Sequence, residues 1–462
     1  MIAVVFIVLM GLVVGALSLF GPAGGAAAAA SVPWWALAAV LAAFVGFFAA
    51  GIYVGVALGL LALLAGFGLS DRPFWNFIGE MLWGPSTNFV LVSVPLFLLM
   101  GEIMLRAGLS ERLYRSLNVW MGRLPGGMLH TNIVSCGVFS AVAGSSVATA
   151  ATMGSVALPY FEKSKYPPKL VLGSLAAGGA LGNLIPPGIT FIIYGLLTET
   201  SVGALYLAAV GPSLLVVLLF TLVILYYSWR LKLTGEAVSP TWRERIASLA
   251  DLVPTALLIA LVLGTIYAGW ATPTESAALG VAGAIVLSLV DRKLTWKMMA
   301  ESMTATARTT SMIALILLGA YLLNYILSSL GIPQMLAKFL TSLPLADWGI
   351  MLVIIGFYLA LGTFMEGMSM VITTIPLLFP VVKALGYDPI WFGVVITMLV
   401  EIAMISPPDG TVLYVLQGMR RQPGPITDVF SGVVPFMLVY MLAILVLMVF
   451  PAIALWLPSV MM

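Results

Sequence analysis

The chain has a single cysteine, Cys136, and a single histidine, His130, in 462 residues. One cysteine closes no internal disulfide, and one histidine builds neither a histidine-rich metal site nor a histidine proton relay. Charge is equally scarce: 20 basic and 18 acidic side chains make up 8% of the sequence, against 62% apolar residues and a mean hydropathy of +1.13. A soluble core of that composition would leave too little polar surface to face water. Soluble enzymes and nucleic-acid binders are thereby excluded, and the chain reads as an integral membrane protein. At about 20 apolar residues per crossing it has length for roughly ten to twelve spans, so an all-α polytopic membrane fold is expected.

Residues 1–20 are apolar enough to span but lack the basic start of a secretory signal peptide, although Ala26 to Ser31 offer the small residues of a cleavage site. Residues 1–32 are read as an extra N-terminal membrane helix and its linker. Self-similarity begins after it. Ile185-Pro186-Pro187-Gly188 and Ser406-Pro407-Pro408-Asp409 stand 221 positions apart, and the same offset relates Tyr166 to Tyr387, Pro159 to Pro380, Thr190 to Thr411 and Trp75 to Trp296. A run of matches at one offset points to duplication. The first repeat covers 33–215 and the second 253–440. Residues 216–252 form a connecting helix and basic loop, and 441–462 hold the end of the last helix and the C-terminus.

Charge orients the two copies. The stretch from Glu102 to Pro125 carries Arg106, Arg112, Arg115 and Arg123, whereas its counterpart from Gly319 to Pro344 carries only Lys338. The segment Glu162 to Lys169 is basic, while its counterpart holds only Lys383 and Asp388. Basic loops stay in the cytoplasm, so the second copy is inverted relative to the first. The loops with Arg230, Lys232, Arg243 and Arg245, with Arg292-Lys293 and with Arg420-Arg421 also fall on the cytoplasmic side. That parity requires the segments around Ser145 and Glu366 to be re-entrant hairpins entering and leaving by one face. Inverted repeats with discontinuous helices are the architecture of secondary transporters.

Within the first repeat the sequence predicts an interfacial amphipathic arm at 106–124, a hairpin at 139–160 and a broken helix at 169–196; within the second, an arm at 331–344, a hairpin at 361–382 and a broken helix at 389–419. The arm should lie in the membrane interface with its basic face toward lipid headgroups. The first hairpin is rich in small and hydroxyl residues. Such runs also serve plain helix packing, and its inverted partner is what favours a binding role. Glu366, opposite Ser145 in the offset, is a carboxylate at membrane depth, where an acid pairs, binds a cation or faces water. Tandem prolines free carbonyls one turn earlier, and freed carbonyls are cation ligands. Glu401, Glu199 and Glu275 read as structural or interfacial groups, His130 as interfacial and Cys136 as a small apolar packer.

Several motifs in order resemble one family: Gly126-Gly127 after Arg123-Leu124-Pro125, Gly144-Ser145-Ser146-Val147-Ala148-Thr149-Ala150-Ala151, Leu172-Gly173-Ser174-Leu175-Ala176-Ala177-Gly178-Gly179, Ile185-Pro186-Pro187, Thr198-Glu199-Thr200 and Thr272-Pro273-Thr274-Glu275-Ser276. They are similar to the large membrane subunit of tripartite ATP-independent periplasmic (TRAP) transporters over residues 50–450. The resemblance implies an inverted-repeat elevator-type transporter in the bacterial inner membrane, driving Na⁺-coupled uptake of a carboxylate-bearing solute. It implies two further chains, a small membrane subunit and a periplasmic substrate-binding protein, and no cofactor beyond Na⁺ as coupling ion. The sequence departs from the family after the second proline pair: where the family has Pro-Pro, then Val-Gly and, two residues on, an Asn, it reads Pro407-Pro408-Asp409-Gly410-Thr411-Val412, so the Asn is absent and an acid has appeared.

On this reading a first cation site is lined by Gly144, Ser145, Ser146, Thr149, Asn183 and Pro186, and a second by Gly362, Thr363, Glu366, Ser369, Pro407 and Asp409. Ser145, Thr190, Ser369 and Thr411 would bind the substrate carboxylate. An alternative within transport is a cation-coupled carboxylate or ion transporter that needs no binding protein. An intramembrane enzyme using Glu366 and Asp409 as an acid pair is disfavoured, because neither acid sits in a catalytic motif and duplication serves alternating access better than catalysis. A passive channel is the third alternative, distinguished by flux insensitive to a Na⁺ gradient.

Overall fold

The computed structural model describes residues 34–69, 74–162, 164, 166–233, 240–420 and 423–461. The helix expected at residues 1–20 and its linker to residue 32 lie outside them. The described residues form α-helices and short 3-10 turns with no strand, the fold class the composition demands. Seven described helices are long and apolar enough to cross a membrane, from Phe89–Arg106 to Thr427–Val449. Shorter apolar helices, including Gly127–Ala143, Ile189–Thr198, Asp347–Leu361 and Pro389–Ile405, account for the gap between seven and the expected ten to twelve. A backbone at membrane depth stays helical because lipid offers no other hydrogen-bond partner.

Each repeat holds a helical hairpin and an interrupted helix. The first hairpin pairs Gly127–Ala143 with Ser146–Glu162, and the second pairs Asp347–Leu361 with Gly367–Ala384. The legs of the first begin well before residue 139, the start the sequence suggested. The first broken helix runs as Pro168–Gly179 and Ile189–Thr198, the second as Pro389–Ile405 and Thr411–Met419. Proline opens the first half of each, where its missing amide costs nothing, and Asp388 caps the second by accepting from the Ile390 and Trp391 amides. The breaks differ in length: nine residues separate the halves of the first (180–188) and five those of the second (406–410). Both Pro186-Pro187 and Pro407-Pro408 bonds are cis.

Two compact units arise from the chain, and neither coincides with a repeat. The larger comprises Phe89–Thr309, Ile354–Val371 and Asp388–Met462. Its ion pairs collect the basic segments at one end. Arg112 bonds both Asp251 and Asp291, Arg115 bonds Asp251, and Arg106 bonds Glu102 and Glu301. Both ends of the first hairpin meet the same arm, Leu109–Met121: Tyr114 donates to Asn132 in one leg and packs on the ring of Tyr160 in the other. The hairpin therefore enters and leaves by one face. The arm, expected to turn its basic side to lipid headgroups, instead spends Arg112 and Arg115 on protein carboxylates. Its Leu109, Leu113 and Leu117 are buried.

Lys169, at the start of the first broken helix, lies 3.9 Å from Asp428, which also binds Arg420. The second broken helix starts elsewhere: the Pro389 carbonyl accepts from Tyr194, near the C-terminal end of the first. The two broken helices thus run in opposite senses, which is the inversion the charges called for. His130, expected at the interface, is buried with Nε2 3.2 Å from the Pro125 carbonyl.

The smaller unit comprises residues up to Asn88, Thr310–Val353 and Ile372–Tyr387. In it the helix Val54–Leu69 crosses the second half of Trp296–Ser329 through Gly55 and Gly319, with the Gly55 carbonyl against Gly319. Small residues at such crossings let backbones approach in lipid, where packing rather than water expulsion drives association.

Candidate functional site

The first hairpin turns at Gly144, whose φ of 59° is a left-handed conformation that glycine adopts without penalty. Its carbonyl accepts from the Ile189 amide, and a side chain there would meet the Pro187 carbonyl at 2.7 Å. The hairpin tip therefore rests on the first break. Gly182 completes the contact, since a Cβ on it would run into the backbone nitrogen and Cα of Ser146.

At this junction sits Glu401, fully buried on Pro389–Ile405. The Ser146 hydroxyl donates to it at 2.7 Å from Oε1 and 2.8 Å from Oε2, and the Asn183 amide donates to Oε1 at 2.8 Å. The Asn183 side-chain NH₂ donates to Ser146 Oγ at 2.8 Å. No described lysine or arginine pairs with Glu401, so its recorded partners are hydrogen-bonding groups of Ser146 and Asn183 alone. Two buried oxygens nearby have no hydrogen-bond partner: Asn183 Oδ1 and Thr149 Oγ1. Thr149 lies one turn along the helix from Ser146 and shares its face. Uncommitted oxygens are hard ligands for a cation, and a buried one without a partner is costly unless something fills the role.

Of the first six residues expected to line a cation site, the structure thus gathers Gly144, Ser146 and Asn183, and leaves Thr149 with a free oxygen. Ser145 follows at the tip, half-buried, and Pro186 lies within the break. The sequence reading set Glu401 aside as a structural group. The hydrogen bonds from Ser146 and Asn183 agree with that reading, and they place the acid beside the first hairpin and first break.

The second six are arranged differently. Glu366 Oε2 accepts from both the Ser369 amide, at 2.9 Å, and the Ser369 hydroxyl, at 3.1 Å, which caps the helix Gly367–Ala384. Thr363, in the turn after Asp347–Leu361, donates to the Ala360 carbonyl of that helix at 2.7 Å. Gly362 packs on Ala403, and Gly367 on Val400, so this hairpin too leans on a broken helix. Pro407 is half-buried, and Asp409 is exposed in the break, with no hydrogen bond or ion pair to Glu366. Repeat equivalence explains the contrast: at the 221 offset Ser146, Thr149 and Asn183 correspond to Gly367, Met370 and Met404, which carry no oxygen in their side chains.

The four residues expected to bind substrate divide into pairs. Thr190, fully buried, turns its hydroxyl toward the Met368 sulfur at 3.8 Å, so the first broken helix meets the second hairpin one residue from Ser369. Thr411 turns instead to a sulfur of its own broken helix, Met404, at 3.4 Å. Among the described residues no group of three His, Cys, Asp or Glu side chains could hold a metal ion.

A model of the DctM component of tripartite ATP-independent periplasmic transporters matches residues 41–453. The chain is 33% identical to a C4-dicarboxylate TRAP transporter large permease of Pseudomonas aeruginosa, over 82% of this chain and 88% of that one. It is 31% identical to a sialic acid TRAP transporter large permease of Vibrio cholerae, over 90% and 97% respectively. Among solved structures, the YdaH transporter of Alcanivorax borkumensis shares the fold, with a TM-score of 0.60 and 16% identity over 88% of this chain and 98% of that one.

Proposed function

Because this chain belongs to the DctM family of TRAP transporter large permeases, we propose that it carries a carboxylate-bearing solute into the cell by coupling its movement to Na⁺, in an elevator motion. As a family member it is a multi-pass transport protein and not an enzyme; the solute class, the ion and the motion are the proposal. Supporting the solute class, the two relatives above are named for C4-dicarboxylates and sialic acid, both acids.

The observation that carries Na⁺ coupling is the junction of the first hairpin and first break. There Ser146, Asn183 and Thr149 supply side-chain oxygens, two of them uncommitted, beside a buried carboxylate. A monovalent cation fits a site of hard oxygens carrying one negative charge. In this proposal Gly144, Ser145 and Pro186 frame that site. Glu366, Ser369, Gly362, Thr363, Pro407 and Asp409 form a second one, in which Glu366 keeps one oxygen beyond its cap. Ser145, Thr190, Ser369 and Thr411 line the solute path between the two hairpins, with Thr190 and Thr411 at matching positions of the inverted copies.

The proposal extends to partners and place: a small membrane subunit beside this chain, a soluble binding protein that delivers the solute, and the bacterial inner membrane. The test is solute uptake into proteoliposomes with this chain, the small subunit and the loaded binding protein. Uptake that needs all three and an inward Na⁺ gradient supports the reading. Uptake without the binding protein favours the independent transporter, and uptake indifferent to Na⁺ removes the coupling.

A further inference from the structure

The cluster at Glu401 has a direction set by hydrogen-bond chemistry. In its ionised form Glu401 only accepts, so the single proton of the Ser146 hydroxyl is then committed to it, midway between its two oxygens. The Ser146 oxygen is then left as an acceptor, and it accepts from the Asn183 NH₂. An amide with its NH₂ committed on one side must present its carbonyl oxygen on the other. Asn183 Oδ1 is the atom that emerges without a partner, on a residue 2% exposed. Were Glu401 replaced by a group able to donate, Ser146 could turn its proton toward Asn183, and the amide would gain nothing from its present orientation.

We propose that Glu401 is the positioning residue of the first cation site: through Ser146 it fixes the Asn183 amide so that Oδ1 faces the cation. Glu401 acts through another residue and is not assigned as a ligand. The role belongs to one repeat alone, because the position equivalent to Glu401 in the first copy is Ala180, and the equivalents of Ser146 and Asn183 in the second are Gly367 and Met404. Duplication built the frame twice and this relay once. The inference rests on the Na⁺ reading given above.

The experiment is Na⁺ titration of the purified full-length chain in detergent, read as the rise in melting temperature over a choline control at equal ionic strength. Glu401→Gln, Asn183→Leu and the double variant are compared with the parent. Glu401→Gln is expected to raise the Na⁺ concentration for half-maximal stabilisation by about 10- to 100-fold, the usual loss when a partner behind a metal ligand is removed. The double variant is expected to lose no more than Asn183→Leu alone, because a residue acting through Asn183 has nothing left to position. A packing role for Glu401 would lower the melting temperature in choline and leave the Na⁺ midpoint in place. Parental Na⁺ affinity in Glu401→Gln, or losses that multiply in the double variant, would overturn the proposal. If Glu401→Gln is not recovered folded, Glu401→Asp, which keeps the charge and withdraws it by one methylene, is expected to show the same loss, and parental affinity there would overturn it equally. A parent that gains no stability from Na⁺ over choline would instead remove the coupling ion itself, which is a failure of the function proposed above and distinct from these outcomes.

Discussion

Ser146 and Glu401 stand 255 positions apart in the chain, yet the hydroxyl of one lies within 2.8 Å of both carboxylate oxygens of the other. The contact joins the tip of the first hairpin to a helix of the second repeat. It makes the oxygen-rich junction a product of both copies.

A close backbone approach at that junction is made at Gly182. A methyl group there would be driven into the Ser146 backbone, which belongs to a helix and cannot yield as a flexible side chain would. Gly182→Ala is expected to cost about 1–3 kcal/mol through overpacking. Reconstituted uptake should fall with it, and a thermal melt alongside the uptake assay checks both.

Glu366 carries two roles that substitution can separate. Its Oε2 caps Gly367–Ala384 through Ser369. Glu366→Ala removes the cap and should cost about 0.5–2 kcal/mol. Glu366→Gln retains an acceptor for Ser369, so it is expected to melt near the parent while losing Na⁺-driven uptake. A Gln variant with full uptake would reduce Glu366 to a cap.

Arg112, itself outside the spanning helices, bridges Asp251 of Trp242–Tyr267 and Asp291. Partial burial pulls its pKa down, and the hydrogen bonds to Asp291 and Asp251, with their charges, outweigh that and leave it above the ordinary value. A raised pKa contributes stability that is fully present below the unfolded value and lost only as pH rises through the folded one. For a guanidinium that loss lies far into alkali, so this contribution is expected to be flat through neutral pH. It is expected to weaken with salt, because the group is about one-third exposed. Arg112→Lys cannot span both acids and should lose about 1 kcal/mol at low ionic strength and less at high; melts at two salt concentrations read the difference.

Topology is open to a direct check. Cys136 is buried, so Cys136→Ala gives a background without reactive thiols. Cysteines placed at Arg115 or Lys169 are expected to react with an impermeant thiol reagent only from the cytoplasmic side, and one at Glu199 only from the outside. Labelling of Arg115 and Lys169 positions from opposite sides would break the single-face entry and exit of the first hairpin.

That the chain lives in a membrane, that it is duplicated and inverted, and where both helices break were all legible in the order of its residues. Each of these is a property of composition, offset or charge along the chain: 8% charged residues, a 221-residue repeat, prolines that cannot donate, and arginines confined to alternate loops. Packing between the copies decided the partners of Glu401, because repeat logic pairs equivalent positions and Glu401 is equivalent to Ala180. The folded chain also decided that Glu366 caps a helix, that Arg112 and Arg115 meet protein acids in place of headgroups, and that Asp409 stands exposed and apart from Glu366. A side chain's partner is fixed by which helices cross and at what register, and that is settled by packing between copies that periodicity along one strand of sequence does not record.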